Sequence, residues 1–354
     1  MKIPYSWLAE WVPVPWPASE LGAHLTMAGF ELESLERAAP EFSSVLVAEI
    51  LSAEPHPQAD KLQVCRVTIG HGAVLQIVCG APNARAGLKS ALAEVGARLP
   101  GEITIKAAKL RGIESQGMLA SAKELGLADS STGILELPAD APVGQPLRAY
   151  LNLDEPVLDL NVTPNRGDAM SVLGVAREVA ALTGTAITGP ASAAVTPARA
   201  QHLAVTLEAP AACPRFAGCI VRGIDNRAAT PLWLRERLRR AGVRSINPVV
   251  DVTNYIMLEL GQPMHAYDLT KLKGGIRVRH ARAGEVLTLL DGKELRAEAD
   301  MLLITDEEGA VGLAGLLKDR ANGGQSVGTV LTGGNVDSEV FGEVLCGSRV
   351  AALA

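Results

Sequence analysis

The stretches PHPQADKL (55–62), IVCGAPN (77–83) and KLRGIESQGMLAS (109–121) decide how this chain is read. Around them apolar and polar residues alternate, as in LQVCRVTI (62–69) and EITIKA (102–107), with Gly and Pro between the short segments. Alternation at period two gives a strand one buried face, and short strands separated by tight turns close most simply into a small barrel. A barrel is therefore expected from Ser44 onward. Taken alone, HPQADKL reads as a tight turn in which His56 and Asp60 satisfy backbone groups.

Working outward, the first 40 residues read as a small helical piece, with Ser19 as N-cap, Leu21, Leu25 and Met27 at partial helical spacing, and Gly29 as the stop. Beyond the barrel, DEPVLDLNVTPNRGD (154–168) closes the unit. AMSVLGVAREVAALTG (169–184) then predicts a helix capped by Asp168, apolar at Val172, Val175, Val179 and Leu182, and ended by Gly184. Residues 185–202, rich in Ala, Thr and Pro, read as a linker to a second domain that starts near His202. There PLWLRERLRRAGVR (231–244) predicts an amphipathic helix from Pro231, apolar at Leu232, Leu234 and Leu238 and basic at Arg235, Arg237, Arg239 and Arg240. Strands are expected at IRVRH (276–280), VLTLLDG (286–292) and MLLIT (301–305).

A length of 354 residues suits two or three domains, and aromatics at 3% against 48% hydrophobic residues mean cores built from Ala, Val and Leu. Five cysteines, an odd number with no CxxC pair, argue against a disulfide framework and a zinc site and suit reduced thiols. With no secretory h-region and no apolar run approaching a membrane span, a cytoplasmic protein is expected. The net charge of −6 is unevenly spread: residues 214–284 hold 13 Lys and Arg against 5 Asp and Glu, while residues 41–150 hold 10 against 11. General attraction to phosphate is thus expected from local clusters, or from the Arg-rich 231–244 helix.

A second constellation is INPVVDVTNYIMLELGQPMHAYD (246–268), preceded by Arg244. It mixes an apolar face (Val249, Ile256, Met257, Leu260) with Asp251, Thr253, Asn254, Gln262 and His265, polar residues a core does not favour. Such a mixture suggests a pocket with hydrogen bonds aimed inward, where a neutral His265 could position a water or a hydroxyl. A lone histidine is more often structural.

The three blocks at 55–121 resemble the OB-fold tRNA-binding module appended to several aminoacyl-tRNA synthetases. In such a barrel looped or single-stranded RNA crosses one face, and Lys61, Asn83, Lys109, Arg111, Ser115, Gln116 and Ser121 are the candidates to meet it. VTPNRGDAMSVLGVAREVAALTG (162–184), the Arg244 to Asp268 block and GLAG (312–315), in this order behind the module, resemble the N-terminal half of the bacterial phenylalanyl-tRNA synthetase β subunit over about residues 1–315. The resemblance implies an α+β multidomain chain: an OB-fold β-barrel at 41–150, a split helical domain from 1–40 and 151–200, and an incomplete α+β editing domain at 205–315. It further implies hydrolysis of tyrosine mischarged onto phenylalanine tRNA, since a phenylalanine pocket cannot strongly reject an analogue that only adds a hydroxyl. Arg244, Thr253, Asn254, His265, Ala314 and Gly315 would line that pocket. In the family ATP, Mg²⁺ and amino-acid activation belong to the α subunit, so the partners implied are tRNA and that subunit, with no cofactor or metal in this chain.

After GLAG the family continues with a glycine- and acid-rich loop and a strand that supplies a glutamate to the editing pocket. This chain reads LLKDRANGGQSVGTVLTGGNVDSEVFGEVLCG (316–347), which resembles the end of PLP-dependent threonine dehydratases without that family's lysine motif or phosphate loop. A truncated β subunit with a foreign tail is one expectation; a tRNA-binding module without enzymatic activity and a chimeric gene product are the alternatives. A sheet cut before its last strands exposes unpaired edges, so limited proteolysis is expected to remove residues beyond about 205 first. Survival of that half while residues 1–200 are degraded would refute this.

Overall fold

The structure is a computed structural model that describes residues 1–72, 74–190, 195–288, 292–315 and 331–334. The chain forms two compact units, one from Met1–Ser34 with Leu158–Ala354, the other from Leu35–Val157. Helices of the described residues are α1 (Tyr5–Ala9), α2 (Ala18–Met27), α3 (Leu147–Tyr150), α4 (Val172–Thr183), α5 (Leu232–Arg240) and α6 (Pro248–Leu260).

In the first unit one core gathers Trp7 and Leu8 of α1, Leu21 and Leu25 of α2, Val172, Val175 and Val179 of α4, Leu234 and Leu238 of α5, and Val252, Tyr255 and Ile256 of α6. Residues 231–260 therefore share a core with the first 30 residues. The first proteolytic losses are accordingly expected outside them. A polar cluster sits inside this core. Trp7 Nε1 donates to Glu259 at 3.1 Å, Tyr255 Oη donates to the same carboxylate at 2.8 Å, and Arg237 reaches both Tyr255 Oη at 3.1 Å and the Glu10 carboxylate. The Trp7 and Tyr255 rings stack at 5.1 Å, and the Arg237 guanidinium lies over both. Burial and the neighbouring Glu259 push the Tyr255 phenol up, so it remains a donor.

Two helix starts differ from the sequence reading. α2 begins at Ala18 behind Pro17, which places Ser19 inside the helix, and Met27 is 88% exposed. The cap of α4 is Ser171, whose side chain accepts the Gly174 N–H at 2.9 Å, and not Asp168. A cap must directly precede the first turn, whereas Asp168 lies in the 3₁₀ turn Pro164–Ala169 and pairs with Arg166 at 3.1 Å. Leu182 is also 41% exposed, so the apolar face of α4 stops at Val179.

A four-stranded sheet in the order Val205–Leu207, Ile276–His280, Leu302–Thr305, Ala310–Gly315 follows. VLTLLDG contributes only Val286–Thr288, paired with Glu294–Arg296 in a separate ribbon. In IRVRH, Ile276 and Val278 are buried as alternation requires, but Arg279 is buried too. Its fork meets Glu285 at 2.7 and 2.8 Å, with the two side chains 8% and 15% exposed. Of the tail, Leu331–Gly334 runs parallel to Cys219–Val221 and His265–Tyr267 and lies between them. The rest of the foreign-tail reading falls outside the described residues.

The second unit is a five-stranded sheet in the order Gly117–Ala120, Lys89–Glu94, Val45–His56, Ala59–Thr68, Leu75–Cys79. Its two outer strands are joined as well. The Gln116 N–H donates to Gln76 O at 2.8 Å, the Gln76 N–H to Gln116 Oε1 at 2.9 Å, and the Val78 N–H to Ser115 Oγ at 3.0 Å. This seam closes the sheet into a barrel filled by Ile50, Cys65, Val67, Ile77, Leu92 and Leu119. EITIKA yields only Ile103–Thr104; Ile103 is exposed and Ile105 buried, because the strand stops between them. A third sheet, in the order Lys2–Pro4, Pro156–Asn161, Glu31–Arg37, holds the two strands through which the chain leaves the first unit and returns to it.

The hydrogen bonds from Arg279 hold the Glu285 carboxyl down to about 2, below its ordinary 4.5. A depressed carboxylate stabilises the fold above its unfolded pKa and loses that contribution as pH falls through the folded one, here about 3 kcal/mol by linkage. Glu285→Gln is expected to lower the urea stability of the chain at neutral pH. Its deficit relative to the unsubstituted chain should shrink as pH drops from 4.5 towards 2. An unchanged deficit across that window would contradict the assignment.

Candidate nucleic-acid interface

The strand Val45–His56 turns through Pro57 and Gln58 into Ala59–Thr68, with His56 facing Ala59 in register. His56 is 5% exposed. Its Nδ1 accepts the Gln58 N–H at 3.1 Å, and its Nε2 meets Leu110 O at 3.2 Å. The first bond requires a bare Nδ1, so the proton sits on Nε2 and donates to Leu110. One imidazole thus ties the 56–61 hairpin to the 108–112 loop. His56 satisfies backbone groups as the turn reading requires, whereas Asp60 is exposed and makes no hydrogen bond among the described residues.

This tie brings three of the seven candidate RNA contacts into one region. Lys61 lies two residues past the turn, and Lys109 and Arg111 flank Leu110; all three are exposed and without an ion-pair partner among the described residues. Glu114 faces Lys109 in register without bonding it. Arg111 adopts φ 47°, leading into the Gly112 turn between Ala108–Leu110 and Ile113–Ser115.

The other four candidates serve the barrel. Asn83 donates to Ile134 O at 2.9 Å and Glu136 Oε1 at 3.0 Å, and accepts the Ile134 N–H at 3.0 Å, so its carboxamide is fully engaged. Gly133 is required beside it, because a Cβ there would overlap that carboxamide. Ser115 is buried, accepting from Val78 N–H and donating to Gly117 O at 3.0 Å, and Gln116 holds the seam through Gln76. Ser121 forms a capping box with Glu124: the Glu124 N–H reaches Ser121 Oγ at 3.3 Å, and the Ser121 N–H reaches Glu124 Oε2 at 2.7 Å. A polar side chain in a motif is as useful to a turn as to a ligand.

Beside this region the barrel wall opens as a cleft of about 560 Å³, lined by the end of the Leu75–Cys79 strand, residues 104–110, residues 117–121 and residues 131–134. Its charged side chains are Lys106 and Glu124, neither of which was singled out in the sequence. Lys106 is the last cation in EITIKA, but alternation marked that segment as strand and hid it. Cys79 also lines the cleft. The Cys65 thiol donates to it, which pushes Cys65 up and holds Cys79 down to about 7. Cys65, Cys79, Cys213 and Cys219 are free thiols.

The residues from the second constellation are spread over three elements. Asn247 caps α6 by accepting the Val250 N–H at 3.0 Å. Asp251, fully buried in the first turn, accepts from Thr230 Oγ1, from Ser245 Oγ at 2.6 Å and from Ile246 N–H at 2.8 Å. Asp251 therefore ties a loop and does not line a pocket. Thr253 Oγ1 donates back to Val250 O at 2.8 Å, Asn254 is half-buried on the same helix, and Arg244 is exposed before it. His265 sits in the strand His265–Tyr267, its ring 6.0 Å from that of Tyr267. Ala314 and Gly315 end the strand Ala310–Gly315, where Gly315 faces Leu302.

Three of the four arginines of the Arg-rich helix are engaged, while the half-buried Arg235 has no ion-pair partner among the described residues. Arg237 is held in the core cluster of the first unit, and Arg239 and Arg240 bond Glu236 at 2.7 and 3.3 Å. Glu236 is held down by those two arginines against the cost of its own burial.

Residues 45–146 match the domain family described as "Putative tRNA binding domain", and residues 212–324 match the "B3/4 domain". The second match runs past Gly315, where the sequence reading placed the break. The chain is 54% identical over 317 residues to the phenylalanine–tRNA ligase beta subunit of Methylococcus capsulatus, covering 90% of this chain and 40% of that protein. It is 51% identical over 323 residues to the same subunit of Dickeya dadantii, covering 91% and 41%. Among solved structures, a MetRS related protein from Pyrococcus horikoshii overlaps 28% of this chain and 84% of its own at 27% identity, with a TM-score of 0.22. The chain spans about 40% of the length of the curated relatives it matches.

Asn83→Ala removes three hydrogen bonds that join the 81–84 turn to residues 134–136, and is expected to cost about 2 kcal/mol of barrel stability. Binding of RNA measured well below the unfolding transition should be unchanged. A loss of affinity at full stability would return Asn83 to the interface.

Proposed function

We propose, on the footing of these likenesses, that the chain is the tRNA-handling portion of a phenylalanine–tRNA ligase beta subunit and binds tRNA through the unit Leu35–Val157. The observation that carries this is the His56 tie, which sets Lys61, Lys109 and Arg111 on neighbouring loops with no carboxylate bonded to them. In this reading the barrel is an OB fold, residues 1–40 and 151–200 form the split helical domain, and 205–315 belong to the editing domain. Phosphate contacts fix position and give a salt-dependent affinity. ATP and Mg²⁺ act at the α-subunit partner, in the cytoplasm, and the lone chain does not aminoacylate.

Titration of phenylalanine tRNA against the full chain across a salt series tests this. The triple substitution Lys61→Ala, Lys109→Ala, Arg111→Ala is expected to flatten the logarithmic salt slope by about 2 to 3, near one counterion per lost cation. Equal slopes for the two proteins would overturn the assignment.

The B3/4 match supports a second activity, hydrolysis of tyrosine mischarged onto phenylalanine tRNA. In that proposal His265 and Asn254 orient the ester and a water, Arg244 approaches the RNA, and Ala314 and Gly315 offer backbone groups. Thr253, its hydroxyl engaged with Val250, shapes the wall. His265→Ala should abolish hydrolysis of Tyr-tRNA while leaving tRNA affinity unchanged. Binding without hydrolysis by the unsubstituted chain would leave a binding module.

A further inference from the structure

The cleft in the barrel wall has a size, a lining and neighbours that define a ligand. Its volume of about 560 Å³ falls within the range of small-molecule sites. Pro82, Leu110 and Met118 give it apolar walls, and Leu110 is 40% exposed. The one cation, Lys106, has no ion-pair partner among the described residues. The one carboxylate, Glu124, is anchored through Oε2 by the Ser121 N–H, while Oε1 makes no hydrogen bond among the described residues. A flat apolar face, a phosphate and an amine donor would satisfy these three features together.

We propose that this cleft seats one unstacked nucleotide of the bound RNA, its phosphate toward Lys106, its base between the apolar walls and its exocyclic amine on Glu124. The proposal rests on the tRNA-binding reading and deepens it. Lys106 lies in the segment that leads into the Ala108–Ser115 hairpin, which carries Lys109 and Arg111, so an RNA strand that enters the cleft continues over the cations already described. A fixed carboxylate accepts hydrogen bonds only. It therefore favours adenine, cytosine and guanine, which offer a projecting exocyclic amine, and disfavours uracil, whose single donor at that edge, N3–H, is flanked by two carbonyl oxygens that would face the carboxylate. Among the described residues no aromatic ring lines the cleft, so selectivity rests on the hydrogen bond and not on stacking.

The test uses the full chain with labelled oligo-A, oligo-C and oligo-U of equal length and with phenylalanine tRNA, read by fluorescence anisotropy. The unsubstituted chain should bind oligo-A and oligo-C about tenfold more tightly than oligo-U, the worth of one charge-assisted hydrogen bond. Glu124→Gln retains an acceptor for Ser121 and adds a donor that suits uracil, so the preference should vanish or invert with the melting temperature unchanged. Lys106→Ala, at an exposed position, should weaken every sequence alike and lower the salt slope by about one. If the Lys61, Lys109, Arg111 triple variant weakens tRNA binding while Lys106→Ala and Glu124→Gln alter neither affinity nor preference, the cleft is not a subsite and the tRNA reading stands. If none of these variants weakens tRNA binding, that reading falls and this inference falls with it.

Discussion

The first unit depends on a guanidinium held in an aromatic box. Arg237 belongs to a helix more than two hundred residues from α1, yet its partners are Glu10, the Trp7 ring and the Tyr255 hydroxyl, and Tyr255 in turn serves Glu259 beside Trp7 Nε1. Removing one member of such a part-buried set leaves a charge without its partner and costs more than an exposed ion pair contributes. That asymmetry makes the contact between the chain's beginning and its α5 and α6 a matter of register as well as burial. A sliding α5 could keep Leu234 and Leu238 covered, but it could not keep Arg237 bonded.

The same economy of polar groups runs through the barrel. Closing five strands needs the outer two to find each other, and here two glutamines and a serine make the junction where strand backbone alone falls short. Ser115, Gln116, Asn83 and Ser121 are buried or engaged because a small barrel has few aromatic residues and little volume with which to stiffen its turns. What the barrel does not use for its own structure is a set of long cations at hairpin ends, and a cleft whose carboxylate is already fixed at one oxygen.

Much of the architecture was legible in the residues. Helix α4, the amphipathic α5 and the IRVRH strand follow from periodicity, and Gly184 and Gly261 end their helices in left-handed conformations that other residues adopt with strain. The errors have local causes. Asp168 and Ser171 are both of capping type, and the 3₁₀ turn Pro164–Ala169, which moves the helix start to Val172, decides between them. The arginines of α5 count as positive charge along the chain, yet Glu236, Glu10 and the aromatic box consume most of it in space. Among the candidate contacts, Lys61, Lys109 and Arg111 were recognisable by type, but their convergence was not, because the bond from His56 to Leu110 spans 54 positions. Lys106 was read only as part of an alternating strand and Glu124 carried no periodic signal, so both emerge only once the wall around them has closed.

The strands Glu31–Arg37 and Pro156–Asn161 are hydrogen-bonded neighbours, so the barrel leaves and re-enters the first unit through adjacent points. The Ala38 N–H bonds Glu155 O at 2.9 Å just beyond them. A segment whose ends meet in this way behaves as a cassette: a few residues could bridge the gap at small entropic cost, and the surrounding core would retain its own contacts. Insertion, loss and exchange of the whole segment between these two strands are thus accessible to evolution in single steps.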